Sequence, residues 1–353
     1  MEVASTPASE TAPQNSKRFR RYPKFSLRTL LIAITLIACL LGWSVYQYRL
    51  YKRERDAVAI LVARFEALCF TRVHQTPGQA LRLPDRVPVI DLAQLRNGRI
   101  YRPIEIVVVD EGTLDDAAVE TLRSFHSLKR LTLIGCDSQT TLDPIAGHNS
   151  LRNLIVARTR LHSRDIDSVV SLTNLRSLSL GPGDHMPRDC AERISGLHLT
   201  SLTLDEMLVS DTALKNLTAQ NSMECLSLPK CTVSRDSLLL IGRLRELIWL
   251  DLSGTKVDDR LFTHFTFPKL EILDLADCPI TDEGVVGIVR NKEIIRLVLR
   301  NTQITDRGVK ELAKLPKLLA LDISGCKITN EAQKTLDSIS TLDPTEVVTG
   351  LSP

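Results

Sequence analysis

Leu270-Glu271-Ile272-Leu273-Asp274-Leu275-Ala276-Asp277-Cys278-Pro279-Ile280-Thr281-Asp282-Glu283-Gly284 is answered 24 residues later by Ile294-Ile295-Arg296-Leu297-Val298-Leu299-Arg300-Asn301-Thr302-Gln303-Ile304-Thr305-Asp306-Arg307-Gly308. Both stretches carry L-x-x-L-x-L spacing, a small residue three places on, then Ile, Thr, Asp and Gly. The leading spacing starts at Ile104, Leu128, Leu151, Leu175, Leu199, Met223, Leu247, Leu270, Ile294 and Leu318, always 23 or 24 residues apart. A fixed period of that length signals a solenoid whose units bury apolar faces only against their neighbours.

Within a unit, L-x-L points its leucines to one side and the intervening residues to the other, because side chains on a strand alternate with period two. The leucines form the core and the x positions an exposed concave sheet. Thr281 and Thr305 read as helix N-caps, with Asp282 and Asp306 in the first turn, where a carboxylate meets the positive end of the helix dipole. Ser210, Ser234, Asp258 and Thr329 hold the matching place. Apolar residues such as Val285, Val286, Ile288, Val309 and Leu312 then lay a helix on the convex side. The expected fold class is therefore α/β, about ten strand–helix repeats with a concave parallel sheet and convex helices.

Cys136, Thr159, Cys231, Thr255, Cys278, Thr302 and Cys326 all fall three places after the third apolar strand position. A small side chain with a donor fits a buried turn and can bond backbone left unpaired where the strand ends. Cys231, Cys278 and Cys326 are two repeats apart, roughly 9.6 Å in a parallel sheet, which is beyond the reach of a disulfide. There is no C-x-x-C pair, and the seven histidines show no ligand spacing, so no metal site or cofactor is expected.

These residues are similar to leucine-rich repeats of the cysteine-containing, ribonuclease-inhibitor-like type, over about residues 104–340. Gly112, Gly183 and Met207 depart from the Cys/Thr position and mark units expected to be irregular.

Residues 29–48 form an uncharged stretch between Arg28 and Arg49. At about 1.5 Å per helical residue it reaches roughly 30 Å, enough for one transmembrane helix in contact with membrane lipid. Lys17, Arg18, Arg20, Arg21, Lys24 and Arg28 precede it, against Arg49, Lys52, Arg53 and Arg55 after it. The positive-inside rule then puts the N-terminus in the cytoplasm and the solenoid outside a cytoplasmic (inner) membrane. Leu36-Ile37-Ala38-Cys39 also fits a bacterial lipobox, so a lipid anchor through Cys39 remains open, as does a cleaved signal peptide. Phe25-Ser26-Leu27-Arg28-Thr29-Leu30-Leu31, ending in Leu40-Leu41-Gly42-Trp43, resembles the anchor of planctomycete single-pass membrane proteins, several of which carry leucine-rich repeats. That resemblance implies a bacterial cell-envelope protein and no biochemical activity.

Residues 1–28 read as a disordered tail with a basic membrane flank. Residues 49–103 read as a juxtamembrane helix, on the helical spacing of Val58, Leu61, Val62, Phe65 and Leu68 to about Val73, followed by a proline-punctuated linker and an N-terminal cap. Residues 341–353 read as a short tail.

The net charge of +3 divides unevenly. Residues 104–353 hold 28 Lys plus Arg against 35 Asp plus Glu, and residues 1–60 hold 10 against 4. An acidic solenoid argues against nucleic acid as a partner. The outward strand positions of the C-terminal units are Trp249, Asp251, Ile272, Asp274, Arg296, Val298, Ala320 and Asp322. Aromatic and arginine side chains are favoured interface anchors, so Trp249, Asp251, Ile272, Asp274, Arg296 and Asp322 are the candidate partner-binding residues. The plainer reading is that the aspartates are solvated members of a common L-D-L pattern and that Trp249 packs along its own sheet. No phosphate-binding, nucleophile-elbow or kinase motif is present, and no catalytic residues are expected. The expected function is a non-catalytic, membrane-anchored module that binds an unknown protein or envelope polymer; the alternative is a structural, self-associating envelope protein.

Overall fold

The computed structural model describes Arg49 and residues 68–70, 106–112, 122–136, 142–182, 186–339, 341–343, 345 and 347–349. The chain divides into two compact units, Met1–Arg49 and Leu50–Pro353, and the following concerns the second. The expected tail, the span at 29–48 and Cys39 lie outside the described residues, as does most of 49–103. Among the described residues no helix is long and apolar enough to cross a membrane.

Among the described residues twelve strands form one sheet in strict sequence order. β1 (Leu68–Phe70) pairs antiparallel with β2 (Ile106–Gly112), and every later neighbour is parallel. β3 to β6 are Arg130–Cys136, Asn153–Ala157, Ser177–Leu180 and Ser201–Leu204; β7 to β12 are Cys225–Ser227, Trp249–Asp251, Ile272–Asp274, Arg296–Val298, Ala320–Asp322 and Val347–Val348. On the return path lie α1 (Ser163–Val170), α2 (Cys190–Ile194), α3 (Asp211–Ala219), α4 (Arg235–Leu238), α5 (Arg260–His264), α6 (Asp282–Ile288), α7 (Asp306–Leu312) and α8 (Asn330–Asp337). Strand residues recur 23 or 24 places apart in register, for example Leu250, Leu273, Leu297 and Leu321, and these leucines are wholly buried or within 1% of it. The period therefore stacks like on like and produces one continuous core.

Both ends differ from the sequence reading. Leu68–Phe70 falls where helical spacing predicts the end of a juxtamembrane helix, yet it is a strand. The first parallel strand of a solenoid presents unpaired N–H and C=O groups, and a short antiparallel strand satisfies them. The stretch read as a C-terminal tail supplies β12, parallel to β11, and packs Leu342 and Val347 with Ile339 against the core. Val286, expected on an inward face, is 46% exposed while Val285 and Ile288 are buried. One residue along a helix is a turn of about 100°, which carries Val286 out of the stripe.

The Thr-Asp-x-Gly signature has a physical cause that joins repeats. Thr281 Oγ1 accepts from Glu283 N and donates to Asp259 Oδ2 (2.7 Å), while Thr281 N donates to Asp259 Oδ1 (2.9 Å). The same three bonds recur at Thr305 with Asp282 and at Thr329 with Asp306. Each threonine caps its own helix and ties it to the preceding repeat. A Cβ on Gly308 would lie 2.5 Å from Asp282 Oδ1, and one on Gly284 would strike Asp259 Oδ1. Asp258, which the sequence places as a cap, lies one residue before the structural cap Asp259, but its Oδ1 still accepts from Arg260 N.

Two places after the third apolar strand position, eight repeats turn through a residue of positive φ: Gly135, Arg158, Glu206, Lys230, Gly254, Asp277, Asn301 and Gly325. Below that turn runs the Cys/Thr ladder. Thr255 Oγ1 donates to Leu252 O (2.6 Å) and Cys278 Sγ to the same carbonyl from the next repeat (3.1 Å); Thr302 and Cys326 do the same at Leu299 O. Burial pushes the Cys231 and Cys278 thiols up to about 11, so they stay protonated and act as donors.

Candidate functional site

The concave face is two rows of outward side chains. One reads Ser201, Cys225, Trp249, Ile272, Arg296, Ala320 across β6 to β11; the other reads Thr203, Ser227, Asp251, Asp274, Val298, Asp322. Neighbouring strands lie about 4.8 Å apart, so Trp249 and Asp251 of β8 stand directly beside Ile272 and Asp274 of β9. Counting Arg296, five of the six candidate residues thus form one contiguous patch. Arg296 sits beside Ile272 and is exposed, whereas Asp322 is separated from Asp274 by Val298. Trp249, Asp251, Ile272, Asp274 and Asp322 are half-buried.

The aspartates are not equivalent. Asp251 Oδ1 accepts from Ser253 N (2.9 Å) and Ser253 Oγ (2.7 Å), and its Oδ2 accepts from Ser227 Oγ (2.9 Å). Asp322 Oδ1 accepts from Ser324 N (3.0 Å) and Ser324 Oγ (2.7 Å). These two carboxylates organise the turn that follows their strands, which gives the L-D-L pattern a structural role beyond solvation. Asp274 receives only Ala276 N (2.9 Å), because alanine stands where the other repeats have serine. Burial pushes its carboxyl up to about 6, with Asp251 and Asp322 adding repulsion, against the Ala276 N–H and the Arg300 charge.

Sequence reasoning passed over Cys225, half-buried and in register with Trp249, and Val348, which is 49% exposed and in register with Asp322. The period alone locates Cys225, since it occupies the same row as Trp249 one repeat earlier. Away from this face, Arg123, His126, His148 and Ser150 border a depression of about 330 Å³. Ser150 Oγ lies 3.1 Å from His148 Nδ1 but donates to Leu128 O (2.8 Å), so the hydroxyl serves the backbone. The arrangement is not an activated nucleophile.

Residues 268–289 and 314–332 match the family model described as leucine-rich repeat. Together with the one-sheet, strand–helix period, these matches show a solenoid of the leucine-rich-repeat type. Over 182 residues it is 29% identical to a Trypanosoma equiperdum protein whose name assigns it to adenylate cyclase regulation, a match covering 49% of this chain and 27% of the relative. The chain therefore spans about a quarter of that relative's length. Among solved structures, an internalin of Listeria monocytogenes is 17% identical, with a TM-score of 0.49 over 66% of this chain and 71% of its own. The plant peptide hormone receptor RGFR1, solved with RGF2, is 12% identical, with a TM-score of 0.41 over 68% and 50%.

Proposed function

We propose that this chain is a membrane-anchored, non-catalytic interaction module. Residues 29–48 hold it in the lipid of the cytoplasmic membrane, and the solenoid outside presents the Trp249 patch to a protein or an envelope polymer. The observation that carries the reading is Trp249 itself, a half-exposed indole flanked by Ile272, Asp251 and Asp274. The corresponding positions of β5 and β6 are the small polar residues Ser177, Ser179, Ser201 and Thr203. A mixed aromatic and charged cluster at the centre of a rigid concave surface suits a binding hot spot. The segment shared with the trypanosomal relative is too small a part of that protein to carry its activity across, and a shared fold does not transmit a function.

The self-associating alternative rests on the other end of the sheet, where Leu319 and Val348 are each 49% exposed beside the short strand β12. Crosslinking in intact envelopes separates the two. The first reading expects Trp249→Ala to abolish a heterologous crosslink and leave the oligomeric state unchanged; a homo-oligomer lost on Leu319→Asp and indifferent to Trp249→Ala supports the second. Protease access to a C-terminal tag, with cytoplasmic controls protected, tests the outward orientation.

A further inference from the structure

We propose that the Trp249 patch recognises an extended peptide segment of a protein partner through one lysine or arginine side chain, whose cation seats on Asp274. This inference rests on the interaction-module reading and deepens it by choosing polypeptide over polymer and by naming the chemistry recognised.

Three repeats place an aspartate at the same register position, and two of them give it two or more donors. Asp251 has three donors and Asp322 two. Asp274 has one, a backbone N–H on Oδ1, and its Oδ2, like that of Asp322, accepts no hydrogen bond. The missing donor is encoded: Ser253 and Ser324 are replaced by Ala276. Val298, its neighbour in register on β10, has none to offer. The charged groups facing it are Asp251 from β8, Asp322 from β11 and Arg300 from the turn after β10, and the Arg300 guanidinium is turned to Asp277 at 3.4 Å. A half-buried carboxylate between two like charges, with a single backbone N–H and a nearby guanidinium engaged by Asp277, is short of both donors and positive charge. A lysine or arginine head supplies both.

Trp249 and Ile272, one row over, complete the subsite. An indole face attracts a cation and also covers the methylenes of a long basic side chain. An extended backbone suits a shallow sheet face, because alternate side chains then point down into the two rows. The raised carboxyl of Asp274 is the expected consequence of a site built for a counter-charge that comes from outside.

The test pans a random-peptide display library at neutral pH against the full-length chain in lipid nanodiscs, alongside its Asp274→Asn and Trp249→Ala forms. Expected are Trp249-dependent peptides sharing one Lys or Arg, with synthetic Gln versions of the winners at least tenfold weaker. Asp274→Asn should erase that Arg-versus-Gln difference. Because the carboxyl titrates at about 6, affinity for the basic peptide should fall about tenfold between neutral pH and about pH 5, while the Gln version stays level. Trp249-dependent winners without a basic residue, or an Arg-versus-Gln ratio that survives Asp274→Asn, overturn the cationic seat and leave the patch standing. Failure to select any Trp249-dependent peptide overturns both the inference and the patch as a protein-binding surface. So does Trp249-dependent capture of an envelope polysaccharide in place of any peptide.

Discussion

Asp274→Asn should stabilise the folded chain at neutral pH and do nothing in acid. The structure raises this carboxyl from 3.8 to about 6, about two units, whose ceiling at 1.36 kcal/mol per unit is about 3 kcal/mol. The group is part-exposed, so solvent screening reduces the effect to about 1–2 kcal/mol. The sign follows from linkage: a carboxyl with a raised folded pKa holds its proton more tightly in the folded state. Its folded-state advantage is full below the unfolded value near 4 and is lost as pH rises toward 6. Asparagine cannot ionise, yet its amide oxygen still accepts from Ala276 N. Thermal melts at pH steps from about 4 to 8 should show the variant gaining a few degrees over the parent above pH 6, with the two converging near pH 4. A pH-independent difference, or a variant less stable at neutral pH, would refute the claim that ionised Asp274 is poorly compensated.

Gly287→Ala should destabilise by about 1–3 kcal/mol as an overpacked contact, because its Cβ would lie 2.5 Å from the Phe262 carbonyl carbon and 2.9 Å from Thr263 N, backbone of α5 that cannot step aside. The control is Gly196→Ala, whose Cβ meets nothing within 4 Å and should leave the melting temperature within a degree or so. Cys278→Thr should be tolerated within about 1 kcal/mol, since Thr255 and Thr302 fill the same place in neighbouring repeats and each donates to the carbonyl three residues back in its own repeat; Cys278→Leu, which removes the donor and enlarges a packed turn, should lower stability by about 1–3 kcal/mol by urea titration.

The fold was legible because the period repeats the same physics in unit after unit. L-x-x-L-x-L locates the strands, Thr281 and Thr305 the helix starts, and Cys278 and Thr302 the buried turn. What escaped was whatever depends on two repeats at once. The Asp259–Thr281 and Asp282–Thr305 ties join residues 22 and 23 apart, so a reading of each helix alone assigns Asp282 to the dipole and misses the bridge. The positive-φ turn was also hidden, because its occupants are as different as Gly254, Lys230 and Asn301; Pro182 stands at that place in its own repeat, where the ring forbids positive φ. The ends were misread for another reason. A helical pattern to Leu68 and a tail at Val347 are local readings, while the exposed edge strands they cover impose pairing from outside the segment. The candidate patch was half legible: alternation put Trp249, Asp251, Ile272 and Asp274 on one face, but their different hydrogen-bonding states depend on residues two places further on.

That difference gives the concave face its meaning. In a solenoid each unit is its neighbour's environment, so a polar side chain that lacks a partner cannot be rescued from elsewhere in the fold. The Cys/Thr ladder, the Asp–Thr ties and the Asp251 and Asp322 turns all close their bonds within one or two repeats. Asp274 has the fewest bonds of the three aspartates at the middle of the patch, and Ala276 withholds the hydroxyl that Ser253 and Ser324 give to Oδ1. Ala276→Ser should therefore supply Oγ to Asp274, as Ser253 does to Asp251, and lower the carboxyl toward its ordinary value. If the open oxygen is the seat of a basic side chain, the same substitution should weaken a basic peptide's binding while raising stability above pH 6. Opposite movement of affinity and stability from one added hydroxyl, at a residue outside the two contact rows, is the signature of a carboxylate left open for a ligand. Parallel movement would make it an incidental gap in the ladder.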